Sequence, residues 1–289
     1  MAGIRDRIVQ RVRELEDLPP AGGAFLEIQR LIGDHRSDAA ALARIVEKDV
    51  YLTAKLLKMV NSVFFSGRYG EIGSVQQAIV RLGFDQIGKF CLAMQVQRMF
   101  PPASPLIDGP AFWHHSLAVA MVTRTISEKS GTEGFDPNIA YVAGLLHDVG
   151  SLILDRHFNP VYKKIRETAA AYSENVFRIE QKLLDIDHGE IGGIMLEKWN
   201  FPESIVQAVS GHHCPDRAGN DWLPLTQLVH LSDFACSVMG AGEPGDTLPQ
   251  GFSLGAWNDL KIDSGQIQTI VGQVEEEIEK IKILLNVIR

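Results

Sequence analysis

Residues 139–153 read IAYVAGLLHDVGSLI, and the spacing within them decides the fold class. Ile139, Ala143, Leu146, Gly150 and Ile153 recur at steps of four and three, which lines them along one face of an α-helix rather than along a strand. His147 and Asp148 stand beside that face. An imidazole and a carboxylate in so apolar a run are costly to bury unless they are paired, protonated or bound to a cation.

The same period continues in both directions. Phe112, His115, Val119, Val122 and Ile126 share a helical stripe, with His114 turned off it. Further on, His188 begins a stripe with Ile191, Met195 and Trp199. His212 extends the face of Ile205, Ala208 and Val209 and is followed directly by His213, while Asp233 falls in step after Leu225 and Val229, with Cys236 beyond. In the N-terminal half, Leu42, Ile45 and Val46 follow the capping pair Ser37 and Asp38, and Leu52, Leu56, Leu57 and Val60 follow Asp49. Ser74 with Gln77 fits a capping box, Gly83 a helix stop, and Asn61 either a helix end in the left-handed conformation or a partner contact. Short alternating runs are almost absent, so the class is all-α.

Two Pro- and Gly-rich stretches interrupt the helices, PPASPLIDGP at 101–110 and GAGEPGDTLPQGFSLG at 240–255. The first is expected to divide the chain into an N-terminal helical lobe, residues 1–104, and a second lobe, residues 105–289. The second lobe would end in a long amphipathic helix over 266–288 that packs on the body or on a partner.

Composition narrows the function. With 289 residues and 45% hydrophobic content the chain reaches folding size without disulfides or metal. A net charge of −8 argues against general DNA binding. No apolar run approaches a membrane span, and the start, MAGIRDRIVQRVREL, mixes both charge signs where a signal peptide would be apolar. A cytoplasmic, non-membrane protein is expected. Cys91, Cys214 and Cys236 form no CxxC pair, so neither a disulfide framework nor a zinc ribbon is indicated.

A histidine alone on an apolar face is an ordinary core residue; His and Asp on successive helices are harder to explain so. His115, His147, Asp148 and Asp233 form a candidate set around one divalent ion, and Asp148 could bridge to a second held by His188, His212 and His213. Imidazole and carboxylate without thiolate suit iron or manganese, with zinc or magnesium as further options. The alternative is an ion-free network in which the aspartates hydrogen-bond to the histidines. His35, His157 and His230 read as surface or packing residues, and Trp199, Trp222, Phe64 and Phe65 as core or lobe-interface residues.

Leu18-Pro19-Pro20, IVEKDVYLTAKLLKMVNS, SVQQAIVRLG, FWHHSLAVA and AGLLHDVG occur in an order that resembles the HDOD family of bacterial signalling proteins, over roughly residues 18–215. The helix carrying Asp233 continues the lobe that is similar to HD domains. The resemblance implies a multi-helical, two-lobe HDOD/HD-domain-like architecture. It also implies a relation to HD phosphohydrolases and to HD-GYP phosphodiesterases of cyclic di-GMP, within a family whose catalytic activity is often lost. The superfamily's H, HD and D match His115, His147-Asp148 and Asp233, and the further histidines of the two-metal HD-GYP type match His188, His212 and His213. Two departures bear on chemistry. Ser151 stands where the phosphodiesterases carry the lysine of HDxGK, and Cys214-Pro215 and DRAGND replace the glutamate and the GYP loop. The expected function is therefore signal-transduction regulation through a protein partner, with a retained metal site and a possible nucleotide ligand. The alternative is a metal-dependent phosphohydrolase acting on a nucleotide or cyclic dinucleotide, using metal-activated water against phosphorus.

Overall fold

The computed structural model describes residues 3–15, 23–33, 39–61, 72–100, 106–130 and 136–238, with the single positions 240, 253, 255, 257, 266, 269, 270 and 273. Among the described residues the fold is helical and contains no strand. The chain separates into two compact units, one of residues 19–99 with 279–289, the other of 1–18 with 100–278.

The smaller unit contains α2 (Gly23–Gly33), α3 (Ala39–Glu47), α4 (Val50–Val60), α5 (Val75–Leu82) and α6 (Phe84–Met99). Its core is built from the apolar positions read above, with Leu42, Val46, Leu52, Leu56 and Val60 all essentially inaccessible. Asp49 caps α4 as expected, accepting hydrogen bonds from the Tyr51 and Leu52 amides, and its other oxygen takes Arg98 of α6 at 3.0 Å. Asp49→Ala removes both, so about 1–2 kcal/mol of stability should be lost, chiefly through the cap, because the ion pair is half in solvent. Urea denaturation of the two proteins measures it directly, and a change below about 0.5 kcal/mol would count against the cap. Ser74 accepts from the Gln77 amide at 3.2 Å, but the Gln77 side chain returns to Gly73 rather than to Ser74, and Gly83 closes α5 with a positive φ of 89°.

Asn61 departs from expectation. Its φ of −93° is not left-handed; instead its side chain brackets Ile72, donating to that carbonyl and accepting from that amide, both at 2.7 Å. A primary amide matches a peptide group bond for bond, so Asn61 ties the end of α4 to Ile72.

The larger unit holds α1 (Ile4–Glu14), α7 (Gly109–Ser130), α8 (Pro137–Leu146), α9 (Val149–His157), α10 (Asn159–Tyr172), α11 (Val176–Leu184), α12 (His188–Lys198), α13 (Glu203–Gly211), a 3₁₀ turn (Pro215–Arg217) and α14 (Leu223–Val238). α7, α8, α13 and α14 enclose a core that includes Val119, Val122, Ala143, Ala208, Leu228 and Val229. The sequence division after residue 104 differs from this arrangement at the N-terminal end. Helix α1 belongs with the second unit because its buried face, Ile8 and Val12, lies against α12, where Arg5 pairs with Glu190 and donates to the Asp185 carbonyl. Of the amphipathic helix expected over 266–288, the described positions Gln266, Thr269, Ile270 and Gln273 are helical and Ile270 is buried in that core. The remainder lies outside the described residues, as do His35, Ser37, Asp38, Phe64 and Phe65.

Candidate metal centre

The run 139–153 is not one helix. α8 stops at Leu146, and α9 starts at Val149 after Asp148 adopts φ −97°, ψ 6°. On a continuous helix adjacent residues point about 100° apart. The break instead lets His147 and Asp148 meet the same cluster, with His147 Nε2 3.4 Å from Asp148 Oδ2. The remaining candidates come from helix ends and two helix interiors. His188 opens α12 behind the cap Asp187, His212 closes α13 with His213 just beyond, and His115 and Asp233 lie within α7 and α14.

All the residues singled out from the sequence come together. His115 Nε2 is 3.0 Å from Asp233 Oδ1, and His147 Nε2 is 3.8 Å from the same oxygen. Asp148 Oδ1 lies 3.0 Å from His188 Nε2 and 3.6 Å from His212 Nε2, while His213 Nε2 is 2.8 Å from His188 Nε2. Potential ligand atoms of Asp148, His188, His212 and His213 all fall within 4.8 Å of one another, as do those of His115, His147 and Asp148, and those of His147, His212 and Asp233. His213 is only partly buried and stacks on Phe177 at 4.2 Å; the others are buried.

The polarity of two histidines is set by their own helices. His147 Nδ1 lies 2.8 Å from the Gly144 carbonyl and His212 Nδ1 lies 2.7 Å from that of Val209. A carbonyl only accepts, so each Nδ1 carries a proton and donates. That leaves Nε2 as the lone-pair nitrogen in the neutral ring. Both Nε2 atoms are buried with no hydrogen-bond partner among the described residues, and both face the Asp148 carboxylate. Lone pair against carboxylate is repulsive unless a positive charge offsets it, either a proton on the ring or a cation between the groups. The donor set therefore fits a divalent cation.

Charge around the cluster follows the same geometry. Burial alone would push the Asp148 carboxyl up, but His147, His188 and His212 hold it well below the usual carboxylate range. Burial likewise opposes charge on His188, and Glu180 with Asp148 overcomes it, so that imidazole sits well above its ordinary value. Asp233 is also lowered, with His115 and His147 outweighing burial.

Several neighbours behave differently from their sequence reading, or were missed. His114, expected off the stripe, is also buried, at 7% exposure, because α7 is enclosed on more than one side. His230 is a packing residue as expected, its Nδ1 against the His212 carbonyl at 2.7 Å and its pKa pushed down by burial. Trp199 is a core residue, tilted against Phe100 at 5.1 Å. Ser151, at the position of the HDxGK lysine, is fully buried. Glu180 was not anticipated, although it falls four residues after Val176 and four before Leu184 on the apolar stripe of α11, the same signal that marked the histidines.

A profile of the HDOD domain matches residues 18–215, well over half of the chain. The chain belongs to the HDOD family. A curated relative from Treponema pallidum, itself uncharacterized, is 22% identical over 249 residues, covering 86% of this chain and 46% of its own length. The chain thus spans about half the length of the curated relative it matches. Among solved structures, an HDOD domain protein of unknown function from Geobacter sulfurreducens superposes with a TM-score of 0.79 at 20% identity, covering 98% of this chain and 97% of that one. A protein of Marinobacter aquaeolei VT8, provisionally assigned to signal transduction, superposes with a TM-score of 0.77 at 20% identity over 99% of this chain and 61% of that one. At that identity the likeness establishes the shared HDOD fold. Among the described residues no helix is long and apolar enough to cross a membrane.

Proposed function

We propose that this HDOD chain is a regulatory module of bacterial signal transduction whose larger unit holds one or two divalent ions. His115, His147, Asp148 and Asp233 would hold one ion, and Asp148 would bridge to a second on His188, His212 and His213. The observation that carries the reading is the pair of buried Nε2 lone pairs, on His147 and His212, directed at one carboxylate. Iron or manganese suits this donor set best, zinc or magnesium less well. The ion would supply fixed positive charge and Lewis acidity at the junction of α7, α8, α12, α13 and α14.

Regulation rather than turnover is favoured by what surrounds the cluster. No lysine stands at position 151 to balance phosphate charge, since a buried serine occupies it. After His213 the chain turns through Cys214 into the short 3₁₀ turn Pro215–Arg217, in place of a GYP loop. In this reading the smaller unit and the C-terminal segment engage a protein partner in the cytoplasm, a nucleotide is a possible input, and arbitrary duplex DNA is not bound.

The convergence of two ligand groups on the single carboxylate of Asp148 favours a second reading, a metal-dependent phosphohydrolase. One experiment separates them. Elemental analysis of purified protein is expected to find manganese, iron or zinc, and a panel of phosphate mono- and diesters with added manganese is expected to show no turnover, or very weak turnover of cyclic di-GMP. Turnover that Asp148→Asn abolishes would replace the regulatory reading with the enzymatic one. Failure to bind any of these ions would remove the metal site from both.

A further inference from the structure

Glu180 is a fully buried carboxylate in α11 whose presence the ligand set does not explain. Its Oε2 accepts from the His188 amide at 2.8 Å and from His188 Nδ1 at 2.7 Å, while Oε1 is buried with no hydrogen-bond partner among the described residues. Burial of a carboxylate opposes folding unless its bonds offset the desolvation, and an apolar side chain of similar volume packs such a place at lower cost. Among the described residues the hydrogen bonds of Glu180 go to His188 alone.

The reason lies in where each histidine stands on its helix. His147 and His212 close helices, where backbone carbonyls three residues earlier are available to take the Nδ1 proton. His188 opens α12. The free backbone groups at a helix start are N–H donors, so a histidine there finds no carbonyl of its own helix to accept from Nδ1. An acceptor must come from another element, and Glu180 supplies it while also taking the free His188 amide. With Nδ1–H so held, Nε2 is the nitrogen that faces the cluster, 3.0 Å from Asp148 Oδ1 and 2.8 Å from His213 Nε2.

We propose that Glu180 is a positioning residue for the metal centre, fixing the orientation and tautomer in which His188 presents Nε2 to an ion; this rests on the metal-binding reading above. It does not touch the ion. Its role is the counterpart, across the helix start, of the carbonyls that hold His147 and His212.

The test uses the full chain and three proteins, the unaltered one, Glu180→Leu and Glu180→Gln, with manganese as the probe. Leucine fills the space but cannot accept a hydrogen bond; glutamine keeps a carbonyl oxygen that can. Loss of an outer-sphere partner of a ligating histidine typically weakens metal affinity about 10–100-fold. Glu180→Leu is expected to show a loss of that order and to shift the visible bands of bound cobalt, with Glu180→Gln restoring most of the affinity. Equal manganese affinity in all three, or a glutamine variant as weak as the leucine variant, overturns the proposal. If the leucine variant does not fold, nitrogen-15 spectra of the zinc-loaded unaltered protein decide the matter. A hydrogen-bonded, slowly exchanging proton on His188 Nδ1 is expected, and a rapidly exchanging one overturns the assignment. Absence of manganese, cobalt and zinc binding by the unaltered chain would instead overturn the metal centre itself, and the role of Glu180 with it.

Discussion

Asp148→Asn is expected to cost more than about 100-fold in manganese affinity, beyond the range typical of outer-sphere substitutions. Asp148 is the group shared by the two halves of the cluster, within 3.0 Å of His188, 3.4 Å of His147 and 3.6 Å of His212. Asparagine has nearly the same shape but no charge, and its amide would turn a donor toward lone pairs that an ion would otherwise occupy. The second consequence is thermodynamic. A ligand that binds only the folded state stabilises it by RT ln(1 + [L]/Kd), about 2.7 kcal/mol at a hundredfold excess over Kd. The unaltered protein should therefore melt several degrees higher with manganese than in chelator, and the Asp148→Asn protein should melt at the same temperature in both. Differential scanning calorimetry reads this without any assumption about activity. A manganese-dependent shift that survives in the variant would falsify the assignment of Asp148 as the shared ligand.

Gly150→Ala should destabilise the larger unit by about 3 kcal/mol or more, at the upper end of overpacking costs. Helix propensity predicts the opposite sign, since alanine in place of glycine within a helix is worth about 1 kcal/mol in its favour. The site decides against propensity. A Cβ at Gly150 would lie 1.8 Å from the His188 carbonyl oxygen and 2.8 Å from the Gly192 amide nitrogen, both of them backbone. Relief would need α9 and α12 to move apart, and α12 carries His188. Loss of stability should therefore be accompanied by loss of manganese binding in whatever fraction remains folded. Urea denaturation with a parallel metal titration tests both, and a variant as stable as its parent would show that α9 and α12 can part enough to admit a methyl group.

Much of this protein is written in local patterns. The helical class, the stripes of α7, α12, α13 and α14, and the caps Asp49 and Ser74 each depend on residues a turn or two apart, where the α-helix imposes a fixed geometry. The polar residues on those stripes were legible for the same reason, because a His or Asp on an otherwise apolar face contradicts its surroundings and needs a compensating partner. Other features were beyond such reading. The break at Asp148 lies inside an unbroken apolar period, and what it serves, the meeting of adjacent side chains with helices distant in sequence, exists only once those helices pack. Asn61 finds its partner eleven residues away at Ile72, and α1 finds its own on α12 in the other unit from the one that follows it in sequence. Glu180 carried a local signal, yet its meaning depends on His188 standing at a helix start with no carbonyl to receive Nδ1. Sequence by itself marked the apolar face of most helices and the His and Asp residues on it that could not be buried alone, while His114 and Glu180 escaped it. Tertiary structure decided which partner each one met, because hydrogen-bond direction and approach distance are set by how helices cross, and no periodicity along one chain encodes that.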